Sequence, residues 1–198
     1  MRSRLPWSVA VAALAVLAGC RTAPVSSPVA PSWQVRQPQL QAREHFELRG
    51  RVAVAAGDQG FNARLRWTQN GARSQVALEG PLGAGGVQIT TDGSNLNIVT
   101  ASGERVQSDG ARAELARRLG FDPPLASLRY WMLGVPDPAT PSTGTVDQAQ
   151  QRLENLEQDG WRIDYSGYVA VGAEWLPARL TLQRGEVRVK LLVDDWRS

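Results

Sequence analysis

From Phe46 to Leu78 the chain changes polarity at almost every step. Phe46, Leu48, Val52 and Val54 alternate with Glu47, Arg49, Arg51 and Ala53. A period of two turns successive side chains to opposite faces of a strand, one buried and one wet. Gly57-Asp58-Gln59-Gly60 supplies a turn, and Phe61, Ala63, Leu65 and Trp67 then alternate with Asn62, Arg64, Arg66 and Thr68 as the hairpin partner. Asn70-Gly71 turns again, and Val76 and Leu78 carry the pattern into a third strand. Val87 and Ile89 pair with Leu96 and Ile98 across Asp92-Gly93-Ser94, and Val106 marks a shorter edge strand. Near the end, Trp161, Ile163 and Tyr165, then Leu180 and Leu182, then Val187, Val189, Leu191 and Val193 give at least three more. Connections this short make antiparallel sheet.

One stretch breaks the alternation. Leu128-Arg129-Tyr130-Trp131-Met132-Leu133-Gly134-Val135-Pro136 is an apolar helical signature, with Leu125, Leu128, Met132 and Val135 spaced to share a face. Gly134 can take the left-handed conformation that ends a helix, and Pro136 blocks continuation. Upstream, Ser108-Asp109 is expected to cap a helix over Gly110–Leu119, which Gly120 stops. Two consecutive helices between runs of strands predict a mainly β fold with a helical insertion: one curled antiparallel sheet with helices on its concave side. The pattern leaves two readings of the second helix, a plug in an ordinary core or a movable lid over an apolar cavity. A short helix is expected over Gln39–His45 and a loop over Asp137–Thr145, while Gln148–Glu157 is open between a helical turn and an irregular strand.

Residues 1–19 have the layout of a secretory signal: Arg2 and Arg4, an apolar run Val9–Ala18 too short to span a membrane, then small residues. Leu17-Ala18-Gly19-Cys20 resembles the lipobox of bacterial lipoproteins, in which the cysteine becomes the first mature residue and is acylated. Cys20 is the chain's one cysteine and sits at the cleavage point. Each buried CH₂ of an acyl chain contributes about 0.8 kcal/mol, so several chains hold a domain on a membrane stably. Position 21 is Arg, not Asp, which by the same resemblance implies export to the outer membrane. Residues 20–38, rich in Pro, Ser, Ala and Val, read as lipidated cysteine plus flexible tether. Trp33 within it either packs back on the domain or rests in the membrane interface. Residues 39–198 are expected to form a single domain.

Charge and reactive groups narrow the function. With Arg2 and Arg4 leaving with the leader, 20 of the 22 basic residues remain to face 19 acidic ones. That is a poor basis for binding nucleic acid. One His and one Cys exclude an intramolecular disulfide and a Cys/His metal cluster, and no cofactor is implied. His45 has no Cys, Asp or second His near it in sequence. Gly-x-Ser-x-Gly, His-Glu-x-x-His and a phosphate-cradling Gly-rich loop are absent, and Asp159, Asp194 and Asp195 fall at strand ends where solvated turns explain them. No enzyme is expected.

The connection Gly80-Pro81-Leu82-Gly83-Ala84-Gly85-Gly86 departs from ordinary turn chemistry, because a large apolar residue stands at its centre where polar ones are usual. Leu82 either folds back onto the core or inserts into a bilayer or a partner. Burying one Leu is worth only about 1.5–3 kcal/mol, which suits transient dipping and not anchoring.

Taken in order, Leu17-Ala18-Gly19-Cys20, Arg49-Gly50-Arg51, Pro81-Leu82-Gly83, the Leu128–Pro136 stretch, Gln158-Asp159-Gly160-Trp161 with Tyr165 and Tyr168, Leu176-Pro177-Ala178, and Lys190-Leu191-Leu192-Val193 with Trp196 resemble the outer-membrane lipoprotein receptor family LolB. The resemblance spans nearly the whole chain. It implies an unclosed antiparallel β-barrel with an α-helical lid, shared with the periplasmic carrier LolA. It further implies a monomer, lipid-anchored in the outer membrane and facing the periplasm, that accepts acylated cargo lipoproteins from LolA and releases them into the inner leaflet. Leu82 matches the family's protruding leucine, which favours its insertion into membrane. On this reading the inward residues Val52, Val54, Phe61, Leu65, Trp67, Val76 and Leu78, with Leu128, Trp131 and Met132 from the lid, are the candidate lining of an acyl-chain cavity. Two rivals stand beside it: a structural docking lipoprotein of an envelope assembly machine, and a soluble carrier. Cys20 argues against the carrier, because a shuttle cannot stay tethered.

Overall fold

The computed structural model describes residues 31–80, 85–93 and 95–197. The leader, Cys20, the first part of the expected tether and Leu82 lie outside the described residues. Helix α1 (Trp33–Gln41) leads into β1 (His45–Ala56), β2 (Gln59–Asn70), β3 (Arg73–Glu79), β4 (Gly86–Thr91), β5 (Leu96–Thr100) and β6 (Arg105–Gln107). Helices α2 (Ser108–Leu119) and α3 (Leu125–Met132) follow. The chain then returns through β7 (Ser142–Asp147), β8 (Arg152–Gln158), β9 (Trp161–Val171), β10 (Glu174–Arg184) and β11 (Val187–Arg197).

The eleven strands of the described residues form one sheet in the order β6-β5-β4-β3-β2-β1-β11-β10-β9-β8-β7. The first half is laid outward from β1, the helices cross the concave face, and the second half is laid inward from the far edge until β11 pairs with β1. Edge strands β6 and β7 do not pair, so the barrel is unclosed. Each step between consecutive strands within a half is an antiparallel hairpin, as the period-two alternation requires. Along β1 the inward set Phe46, Leu48, Val52 and Val54 is buried while Glu47, Arg49 and Arg51 are exposed.

Gly50 belongs to the inward set, and its place is dictated by contact. The β1–β11 register slips beside it, with Arg49 opposite Asp195 and Gly50 opposite Val193, which leaves Asp194 as the extra residue of a bulge. A Cβ on Gly50 would overlap the Leu192 carbonyl oxygen.

Three sequence expectations change. The coil expected up to Pro38 ends earlier, because α1 starts at Trp33 and not at Gln39. Tertiary bonds hold it: the Trp33 N–H donates to Gln151 Oε1 at 2.8 Å, and buried Arg36 donates to Glu174 Oε2 at 2.8 Å and to the Gln151 carbonyl at 2.7 Å. Trp33 thus packs on the domain. Residues 142–145, expected as loop, belong to β7, because pairing with β8 satisfies a Thr-rich segment that has no apolar alternation to announce it. The segment left open becomes a turn followed by β8. Helix α2 also begins without a side-chain cap; Gln107 occupies the cap position and Ser108 has φ of 57°. Gly120 closes it in the left-handed conformation as expected.

The strands have two ends. Turns 70–73, 147–152 and 171–174 share one end with α1, while turns 56–59, 158–161 and 184–187 lie at the other. The connection carrying Leu82 leaves from Glu79 and returns at Gly86, at the end opposite α1.

Candidate functional site

The concave face holds two separate cores. The larger joins α3 and the end of α1 to β1, β2 and β8–β11. The smaller joins Ala111, Leu115 and Leu119 of α2 to Ile89, Leu96 and Ile98 of β4 and β5. Phe61, Val76, Leu78 and Phe121 pack against both and are only partly buried. They mark a seam, and a cavity of about 100 Å³ lies along it.

Its floor is sheet: Val52, Val54, Phe61, Leu65, Trp67, Val76, Leu78, Ile89, Leu182, Val189 and Leu191. Its roof is the helical insertion: Leu119, Phe121, Pro123, Pro124, Leu125, Leu128 and Met132. Trp161 closes one wall, and Ser74 and Thr91 are the polar residues of the lining. The Ser74 hydroxyl donates to Gln69 Oε1, which also accepts from the Trp67 indole at 3.2 Å, so the Ser74 hydroxyl is internally satisfied. What remains, among the described residues, is an apolar chamber lined by uncharged side chains, a chemistry suited to hydrocarbon.

The structure brings nine of the ten predicted lining residues to this cavity: Val52, Val54, Phe61, Leu65, Trp67, Val76, Leu78, Leu128 and Met132. Trp131 is not among them. It is fully buried on the other side of α3, where its indole N–H donates to Gln158 Oε1 at 2.8 Å and its ring meets Trp161 at 6.3 Å. Consecutive residues of a helix point about 100° apart, and here Met132 faces the chamber while Trp131 turns to Gln158. The sequence reading missed Ile89, Leu119, Phe121, Pro123, Pro124, Leu125, Trp161, Leu182, Val189 and Leu191. Alternation marked most of the sheet members as inward; which inward residues face a void was not in the pattern. His45 begins β1, exposed to solvent.

Anchorage of the roof is uneven. The end of α3 is bound tightly: Tyr165 donates to the Trp131 carbonyl at 3.0 Å, and Gln158 accepts from the Asp137 N–H and donates to the Asp137 and Thr140 carbonyls at 2.8–2.9 Å. Burial pushes the Tyr165 phenol well above its ordinary pKa, so it stays a donor. Gly134 has φ of 74° and packs its backbone against Pro177 and the Tyr168 hydroxyl. By contrast the α2–α3 loop is held at its rim by an exposed Arg112–Asp122 ion pair at 3.1 Å and one Arg184 bond to the Asp122 carbonyl at 3.3 Å. Exposed pairs of this kind are worth about 0–1 kcal/mol.

Replacing Gln158 by Leu is expected to strip the Trp131 indole and the Asp137 N–H of their acceptor at once. At roughly 1–3 kcal/mol for each buried group left unpaired, Gln158→Leu should lower the melting temperature by at least about 5 °C. A thermal unfolding curve within 2 °C of the native one would refute this account of the α3 anchor.

Comparison with known proteins is consistent with this architecture. Residues 44–196 match the family model described as outer membrane lipoprotein LolB. An outer-membrane lipoprotein LolB from Pseudomonas paraeruginosa is 32% identical, with 98% of this chain and 97% of that protein covered. One from Nitrosococcus oceani is 33% identical, with 96% of each covered. Among solved structures, a LolA superfamily protein from Nitrosomonas europaea superposes with a TM-score of 0.54 at 13% identity, covering 85% of this chain and 94% of that one. That likeness concerns the fold alone.

Proposed function

Because the chain belongs to the outer-membrane lipoprotein LolB family, lipoprotein receptors of the Lol localisation system, we propose that it takes acylated lipoproteins from the carrier LolA, holds their acyl chains beneath α2 and α3, and releases them into the inner leaflet of the outer membrane. It is an outer-membrane lipoprotein, and among the described residues no helix is long and apolar enough to cross a membrane. Residues 1–19 are then the signal, Cys20 the acylated first residue, and the chain ahead of α1 the tether.

The observation that carries this reading is the charge-free cavity on the seam between two cores. At about 100 Å³ it holds about three groups the size of a water molecule, several-fold less than one long acyl chain. On this reading the small cavity belongs to a closed form, and the roof moves to admit cargo. A seam is where that costs least. Parting α2 and its loop from α3 would widen the chamber along the seam, at the cost of the Phe121–Trp161 contact and of polar bonds at the rim that are exposed and weak. The loop sits at the end opposite α1: Gly120 packs on Ala56, and Asp122 is held by Arg184 from the end of β10. The connection bearing Leu82 is at that same end. Cargo leaving past the loop emerges at the end where Glu79 and Gly86 bound the Leu82 connection, and insertion of that leucine would open a path into lipid.

No bond is made or broken, and no energy source is needed if affinity rises along the route. The cargo must bind this chain more tightly than the carrier, and the bilayer more tightly still. The test mixes the mature chain with LolA loaded with a labelled lipoprotein, then adds vesicles. Cargo should pass to this chain and onward to lipid. Cargo that stays on a carrier shown to be competent would overturn the receptor mechanism and leave a docking scaffold. In the same assay Leu82→Glu should accept cargo at the native rate yet deliver it at least tenfold more slowly; native delivery by this variant would reject the insertion role.

A further inference from the structure

Among the described residues the exposed large apolar side chains are Val35 (50%), Val169 (40%) and Trp175 (44%). They come from separate stretches of sequence yet share one end of the fold. Arg36, next to Val35, donates to the Glu174 carboxylate at 2.8 Å and to the Trp175 carbonyl at 3.4 Å. Val169 and Trp175 flank the turn of the β9–β10 hairpin, where Tyr168–Ala173 carries no charge. The Arg152 guanidinium lies 4.5 Å from the centre of the Trp175 ring. Single exposed apolar residues need no explanation, but three at the one end of the fold where the chain enters do.

We infer that this tip, with Val35, is a surface on which the domain rests among lipid headgroups, beside the point where the chain departs for its acyl anchor. The inference rests on the reading of Cys20 as lipidated. The chain enters the described domain at Pro31, and the Trp33 and Arg36 bonds pin α1 to the hairpin end. Eleven residue steps separate Cys20 from Pro31, a reach of at most about 40 Å. The end of the fold nearest the anchor is thus the one kept nearest the bilayer. An indole with an apolar body and a polar N–H suits the headgroup layer, and an arginine stacked on it can pair with lipid phosphate. Side chains that project from separate elements suit a fluid lipid surface, which can close around each of them.

The placement has a directional consequence. Leu82 and the lid loop belong to the other end of strands such as β1, whose 12 residues span about 40 Å. Resting on the hairpin turns that end toward the periplasm, open to a carrier, and delivery requires the domain to turn over on its tether. The reach of the tether equals the length it has to clear.

The test uses the full mature lipoprotein in vesicles of phosphatidylethanolamine and phosphatidylglycerol. Cys20 is the one native cysteine, so Ala173→Cys and, at the opposite end, Asp58→Cys each accept a single fluorophore. Nitroxide lipids labelled near the headgroup should quench the probe at 173 at least threefold more than the probe at 58, and adding Val169→Ser with Trp175→Ser should abolish the difference. Flotation separates the two ideas. A chain that does not float with vesicles defeats the Cys20 reading and this inference with it. A chain that floats but shows equal or reversed quenching overturns the resting surface and leaves the anchor intact.

Discussion

Gly50→Ala is expected to lower the melting temperature by about 10 °C, although it adds a single methyl group. The added methyl group has nowhere to go, since its position overlaps the Leu192 carbonyl oxygen and lies 3.1 Å from the Val193 Cα. Both are backbone atoms of β11, which cannot rotate away as a side chain would. Relief requires β1 and β11 to separate at the bulge, and these strands join the two halves of the sheet. Overpacking normally costs about 1–3 kcal/mol; a backbone obstacle at the central pairing places this case at or above the upper figure. For a domain of this size each kcal/mol moves the midpoint by roughly 2–4 °C. Gly71→Ala is the control. Gly71 has φ of 56° but nothing within 4 Å of the added atom, so only the conformational penalty of about 1 kcal/mol applies. Equal melting temperatures for the two variants would show that the contact at Gly50 relaxes at little cost.

Leu128→Glu should leave the fold standing and remove binding of hydrocarbon. Leu128 is partly exposed on α3 and points into the cavity, so in the empty protein the new carboxylate can turn toward water at the seam. With an acyl chain in place that escape is filled, and the charge must be desolvated or the chain displaced. A few kcal/mol of desolvation corresponds to about 100-fold in affinity at 1.4 kcal/mol per tenfold. Leu128→Met, of nearly equal volume, should change affinity by less than about threefold. Titration with a fluorescent fatty-acyl probe, alongside circular dichroism to verify folding, decides the matter. A folded Leu128→Glu protein that binds the probe like the native chain would show that acyl chains lie elsewhere.

Much of the architecture could be read from residue order because its physical causes are local. Alternation along Phe46–Val54 and Phe61–Trp67 assigned strands and their buried faces, and Gly57-Asp58 and Asn70-Gly71 assigned turns. Gly134 and Pro136 ended α3 where the left-handed glycine now sits. The misses have a common cause as well. Helix α1 has little amphipathic signal and an internal Pro38; it exists because Arg36, Trp33 and Gln41 find partners more than 90 residues away. Strand β7 lacks alternation and is held by β8. No property of residues 33–38 or 142–145 taken alone could announce either.

The site divides in the same way. By itself the sequence determined which side chains turn inward and that two helices interrupt the sheet, because these follow from period and turn chemistry. Only the tertiary structure decided that the inward residues form two cores and not one, that the gap between them is roofed by α3 and the α2–α3 loop, and that Trp131 serves the anchor of the lid while Met132 faces the chamber. A void is the space that side chains from many strands fail to fill. Its position depends on how β1 through β4 and β9 through β11 curl against α2 and α3, and no local run of residues contains that information.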